Sequence, residues 1–236
     1  MTDNTVHALS ARFVMASEWK AYRVRQGDHV RRLAFRAGVS PDEVWNHQKN
    51  KDLKAKRECM DILAPGDILY LPTEPPAGAD ITHGTTNRYQ CQIPTIHVSF
   101  QLAGDDRYKN KAYKATVAGT VGDPLEGSTG DKGEVDLVVP VIATQVDFKI
   151  EELSFEAILE VGALDPVGED SGVVQRLRSL GYLPDEKAPV SRREVEAATA
   201  QFQKDQGLSA TGFITDELRK KLDEAHSAKS KRKAEQ

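Results

Sequence analysis

The stretch "AYRVRQGDHVRRLAFRAGV", Ala21 to Val39, changes its hydrophobic period halfway along. Tyr22 and Val24 alternate with Arg23 and Arg25, the pattern of a half-buried strand. Gly27-Asp28 turns the chain, and Asp28 stands where a helix cap belongs. Val30, Leu33, Ala34 and Ala37 then fall at i, i+3, i+4 and i+7, an apolar helical stripe, and Gly38 follows at a C-cap position. "SPDEVW" restarts a helix, with Ser40 as N-cap, Pro41 at the first helical position and Glu43 placed for a capping box. "LAPGDILYLP" supplies a Pro-Gly turn and a short strand through Ile68 and Tyr70, stopped by Pro72. The first module, 17–72, is expected to run strand, helix, helix, strand.

Outward from this module the character of the chain changes three times. Residues 73–94 are rich in Pro, Gly and Thr without a sustained period and read as a linker. Over 95–159, short alternating runs recur: Val98/Phe100/Leu102, Tyr113/Ala115/Val117, Val135/Leu137/Val139 and Val146/Phe148/Ile150. Turn-rich pieces separate them, which predicts a small antiparallel sandwich. Residues 160–226 are helical in pattern. Ser171 is placed to cap a helix carrying Val173, Leu177 and Leu180, ended by Gly181. Ser191 and Glu194 form a capping box ahead of Val195, Ala198, Thr199 and Phe202, and Gly207 ends that helix. Thr215 is placed to cap a third helix, with Leu218 and Leu222 inward. The tail 227–236, "SAKSKRKAEQ", is expected to be disordered. The predicted fold class is multidomain α+β.

The first module resembles LysM, a βααβ fold. The resemblance rests on "YRVRQGDHVRRLAFRAGVSPDEVW" followed by "LAPGDILYLP". It implies a glycan groove between two loops, Gly27, Asp28, His29 and Val30 on one side and Leu63, Ala64, Pro65 and Gly66 on the other. His29-Val30 departs from the commoner Thr and apolar residue after Gly-Asp. The longer, basic insert "NHQKNKDLKAKRECMD" is similar to a LysM subgroup with a Trp-x-His…Asn…Leu…Arg pattern, here Trp45, His47, Asn50, Leu53 and Arg57. That likeness implies Trp45, His47 and Arg57 as partner contacts. The third module resembles a three-helix peptidoglycan-binding domain through "VVQRLRSLGYL", "EVEAATAQFQKDQGL" and "TGFITDELRKKL". Its loop "PDEKAPVSRR" lacks the Asp-Gly turn common in that family. The middle module is similar to Ig-like or transthyretin-like sandwiches. The order of the three modules is similar to accessory proteins of type VI secretion and related contractile injection systems.

These resemblances imply a non-catalytic adaptor that binds a spike or effector protein of an injection apparatus. The alternative they imply is a protein that binds the N-acetylglucosamine-containing glycan of peptidoglycan, and a third reading is a cell-wall hydrolase. The residues themselves argue against chemistry. His7, His29, His47, His83, His97 and His226 form no metal-ligand spacing, and Cys59 and Cys91 sit in no nucleophile motif. The acidic pairs Glu151/Glu152 and Asp105/Asp106 are adjacent, and neighbours on a strand point to opposite faces. No cofactor and no metal are expected. A net charge of −4 gives no nucleic-acid footprint, and Arg23, Arg25, Arg31, Arg32 and Arg36 read as solvated charges. The segment Met1–Lys20 has no basic region followed by an apolar run, so no signal peptide is expected. No run is long and apolar enough to span a membrane. The expected location is cytoplasmic, with export only through an injection apparatus.

Overall fold

The computed structural model of the chain describes residues 18–57, 59–73, 83–84, 86, 92–102, 106–120, 122–184 and 189–231, with side chains as far as residue 226. Most of the expected linker, Cys91, Asp105 and residues 232–236 lie outside the described residues.

The N-terminal unit holds β1 (Trp19–Arg23), α1 (Val30–Ala37), α2 (Pro41–Asn46), α3 (Lys51–Lys56) and β2 (Ile68–Pro72). β1 and β2 pair antiparallel, with Tyr22 opposite Leu69. Val24, Val30, Leu33, Val44, Trp45, Leu53 and Leu69 share one core. Gly38 ends α1 in the left-handed region, φ +69°, where a Cβ is disfavoured. The cap of α1 differs from the sequence expectation. His29 is the N-cap, its Nδ1 accepting from the Arg32 N–H at 3.4 Å. Asp28 accepts instead from the Tyr22 hydroxyl at 2.8 Å and the Arg25 N–H at 2.9 Å, which closes the turn rather than the helix. The basic insert forms α3, a helix the sequence reading passed over as a connection. Buried Asn50 staples it: its amide donates to the carbonyls of Val44 (2.8 Å) and Tyr70 (2.9 Å) and accepts from the Tyr70 N–H (2.7 Å).

The middle unit is built from β3 (Thr95–Gln101), β4 (Ala112–Val117), β5 (Leu125–Ser128), β6 (Glu134–Pro140), β7 (Gln145–Ile150) and β8 (Phe155–Glu160). They make two antiparallel sheets, β3-β6 and β5-β4-β7-β8, around one core. Phe148 sits at its centre, edge-on to Phe100 at 5.2 Å and tilted against Tyr113 at 5.1 Å. β5 lies within a stretch read from sequence as a turn. Its Gly127 lies beneath the Tyr113 ring, a close approach that a side chain would block. β8 was also missed, because exposed Ile158 interrupts the polar face that its alternation otherwise shows.

The C-terminal unit contains α4 (Asp170–Ser179), α5 (Arg192–Asp205) and α6 (Asp216–Lys231) around Val173, Leu177, Ala198, Phe202, Leu218 and Leu222. The Ser191–Glu194 capping box forms both of its bonds, and Thr215 Oγ1 accepts from the Leu218 N–H at 3.2 Å. Glu169 rather than Ser171 holds the N-cap position of α4, without a side-chain capping bond. α6 runs on to Lys231, so residues 227–231, expected to be disordered, are helical. Among the described residues, no helix is long and apolar enough to cross a membrane.

Candidate functional site

The structure brings the two candidate loops of the N-terminal unit together. The Gly66 N–H donates to the Val24 carbonyl (2.8 Å), and the Val30 N–H donates to the Met60 carbonyl (2.9 Å). Gly27 and Gly66 adopt φ of +85° and +94°, conformations that glycine tolerates and β-carbon residues resist. Val30 and Leu63 are core residues, Ala64 is buried, and Pro65 and Gly66 are exposed.

The first loop does not face solvent. It lies against the end of the sandwich, so closely that a Cβ at Gly162 would sit 2.7 Å from the Gly27 carbonyl oxygen. Gln26 Nε2 donates to the Ala163 carbonyl at 2.8 Å. The strongest link is Arg32, which belongs to the cluster read as solvated. Arg23, Arg25, Arg31 and Arg36 are exposed, but Arg32 is only 2% exposed. Its guanidinium donates to the carbonyls of Val141 (3.2 Å), Ala143 and Val161 (3.5 Å) on the sandwich, and to Gly27 on its own loop. No carboxylate bonds it among the described residues. Burial, with Arg36 nearby, therefore lowers its pKa against the weaker opposing pull of Asp28.

The second loop is closed by Asp67. Its carboxylate receives Arg57 Nε and Nη2 at 2.8 and 3.0 Å and the Ala64 N–H at 2.9 Å. Burial raises the Asp67 pKa, but these donors outweigh it and leave the carboxyl below its ordinary value. Arg57 also reaches Glu169, ahead of α4, at 3.0 Å. All three residues expected to contact a partner are engaged within the chain: Arg57 in this buried network, Trp45 in the core and His47 against Trp19. His47 is half-buried and stacks on Trp19, centroids 3.7 Å apart and planes 6° apart.

In the helical unit, buried Gln203 organises the turn ahead of α6. Its amide accepts from the Gly212 N–H (2.9 Å) and donates to the Phe213 carbonyl (3.1 Å), and the Phe213 side chain is left exposed. The Tyr182 hydroxyl donates to Asp205 at 3.0 Å, and burial together with that carboxylate pushes its pKa up to about 12. Arg176 is buried against Asp223 (3.2 Å) and the carbonyls of Asp165 (2.7 Å) and Gly172 (3.0 Å). Residues 185–188, within the loop that departs from the family pattern, lie outside the described residues.

Elsewhere, Glu151 pairs with Lys114 at 3.0 Å and Glu152 pairs with Lys111, so each acid of that doublet faces a lysine. Among the described residues no three His, Cys, Asp or Glu side chains are grouped to hold a metal ion.

Residues 172–222 match the peptidoglycan binding domain family, a span that takes in α4 from Gly172, all of α5 and α6 as far as Leu222. No curated protein and no solved structure matches the chain. The three stretches that carried the resemblance from sequence are those that build this helical unit.

Proposed function

We propose that this chain is a non-catalytic peptidoglycan-binding protein whose C-terminal helices carry the binding. The family match over 172–222 carries the reading, and it coincides with a unit that has its own core. Function rests on a site rather than on a fold, so the direct test is binding. The full chain should co-sediment with purified sacculi and release no soluble muropeptides from them. Retention of the chain in the supernatant overturns the binding, and released muropeptides overturn the non-catalytic part.

In this reading the N-terminal unit is a LysM module, supported by its strand–helix–helix–strand frame and the adjacent loops 27–30 and 63–66. The middle unit is an Ig-like or transthyretin-like sandwich, supported by its two antiparallel sheets. A specific observation favours a second reading, the cytoplasmic adaptor of a contractile injection apparatus. Half of the LysM groove lies against the chain's own sandwich, so the module's recognition loop makes protein contacts. Co-purification with a spike or effector protein, without sedimentation on sacculi, would select this second reading.

A further inference from the structure

Each unit of the chain has its own core. Val24, Val30, Leu33 and Leu69 pack together in the N-terminal unit, Phe148 and its neighbours in the sandwich, and Phe202 and its neighbours in the helices. Among the described residues, none of these cores spans two units. The joint between the N-terminal unit and the rest is polar instead. Arg32 donates to the carbonyls of Val141, Ala143 and Val161, Gln26 to the Ala163 carbonyl and to Asp165 at 3.3 Å, and Arg57 to Glu169. A carbonyl released from such a bond finds water in exchange, so the net hold of each bond is small. A polar joint between separate cores can part without unfolding either side.

The docked state also carries a cost that parting removes. His29 is 1% exposed, and its Nε2 is buried without a hydrogen-bond partner. Nδ1 lies 3.4 Å from the Arg32 backbone nitrogen and 3.7 Å from the Asp61 carboxylate. Whichever ring nitrogen carries the proton, Nε2 stays unpaired. A Cβ at Gly162 would lie 3.3 Å from the neighbouring Cδ2, so the end of the sandwich lies against this edge of the ring. With the units apart, water reaches it.

The joint falls on one side of the candidate groove and spares the other. On loop 27–30, the Gly27 carbonyl is held by Arg32 and lies against Gly162, while Asp28, His29 and Val30 are buried. On loop 63–66, Pro65 and Gly66 are exposed. A ligand entering between the loops meets one that is open and one that the sandwich already holds.

We infer that the docked sandwich is an intramolecular inhibitor of the N-terminal groove. It occupies the loop around Gly27 and His29, and an N-acetylglucosamine oligomer binds between the loops only when the units part. The inference rests on the reading of the N-terminal unit as a LysM module. Ligand and sandwich compete for one loop, so the apparent affinity of the groove is lowered by the fraction of the chain that is undocked. Sacculus binding then falls to the C-terminal helices while the groove is closed.

The test uses the full chain, with small-angle X-ray scattering to report docking and calorimetric titration with tetra-N-acetylchitotetraose to report the groove. Arg32→Ala removes the three sandwich bonds of the joint. Gln26→Glu touches no core residue. It removes the donor to Ala163 and sets a carboxylate against Asp165. Both variants should keep the circular dichroism spectrum, enlarge the radius of gyration and bind the sugar roughly tenfold or more tightly than the wild-type chain. Expansion without a gain over wild-type binding overturns the inhibition and leaves the LysM reading standing. Failure of every chain to bind, expanded or not, overturns the LysM reading and the inference with it. If neither variant expands, the joint is rigid and the inference is also overturned.

Discussion

Two deeply buried arginines, Arg32 in the N-terminal unit and Arg176 in the C-terminal helices, are satisfied by different partners. Arg176, 1% exposed, has a carboxylate in Asp223 and carbonyls from its own unit. Arg32, 2% exposed, bonds only carbonyls, and three of its four partners belong to the sandwich. Burial lowers the pKa of both, yet both stay charged at any working pH. Arg176 therefore ties a helical unit to itself, and Arg32 ties one unit to another. The difference separates how units fold from how they are joined.

The harshest way to break that contrast is Arg32→Ala. It strands the carbonyls of Val141, Ala143 and Val161 in a buried contact. A loss of about 3 kcal/mol or more is expected, because each buried acceptor left unpaired costs roughly 1–3 kcal/mol. The N-terminal unit should then unfold in its own earlier transition in urea, followed by fluorescence of Trp19 and Trp45. A single transition with an unchanged midpoint would show that Gln26 and Arg57 hold the units together without Arg32. Arg32→Lys should fall between, because one ammonium cannot span three carbonyls as a planar guanidinium does.

The next effect is read through pH. The Asp67 carboxyl lies below its ordinary value in the fold, so its contribution is fully present above about pH 4, the unfolded value. It is lost as pH falls through the lower folded value. Asp67→Asn should cost roughly 2–3 kcal/mol at neutral pH, where a charge-assisted pair with Arg57 is removed. The gap between wild type and variant should close toward pH 2. A gap that stays constant with pH would mean that the loop is held by the Ala64 N–H bond rather than by the ion pair.

The same contrast explains what could be read from the sequence. The helical unit was legible because its signals are local: Ser191 with Glu194, Thr215 ahead of Leu218, Gly207 after Phe202. The N-terminal frame was legible for the same reason. Arg32 was not, since beside Arg31 it reads as one more surface charge, and its partners lie more than a hundred residues away. Gly162 carries no local sign of its contact with Gly27 either. The loops 27–30 and 63–66 were placed correctly as turns. The covering of the first loop depends on docking between units, which no periodicity encodes. Asn50 stands between these cases: its resemblance to a subgroup pattern was visible, but its staple between Val44 and Tyr70 needed the fold.

The mildest change sharpens the comparison most. Asp223→Asn puts Arg176 in the position of Arg32, a buried guanidinium with backbone carbonyls and no carboxylate. Asp223 is 38% exposed on its side chain, so water screens the pair and limits what the carboxylate adds. Two carbonyl bonds remain, and the asparagine oxygen can still accept from Nε. The expected cost in urea unfolding is at most about 1 kcal/mol, with little change on adding salt. A loss of several kcal/mol would mean that carbonyls alone do not satisfy a buried arginine in this chain. Arg32 would then be a strained joint between units rather than a settled one, and the docked arrangement of the N-terminal unit would be the first to open.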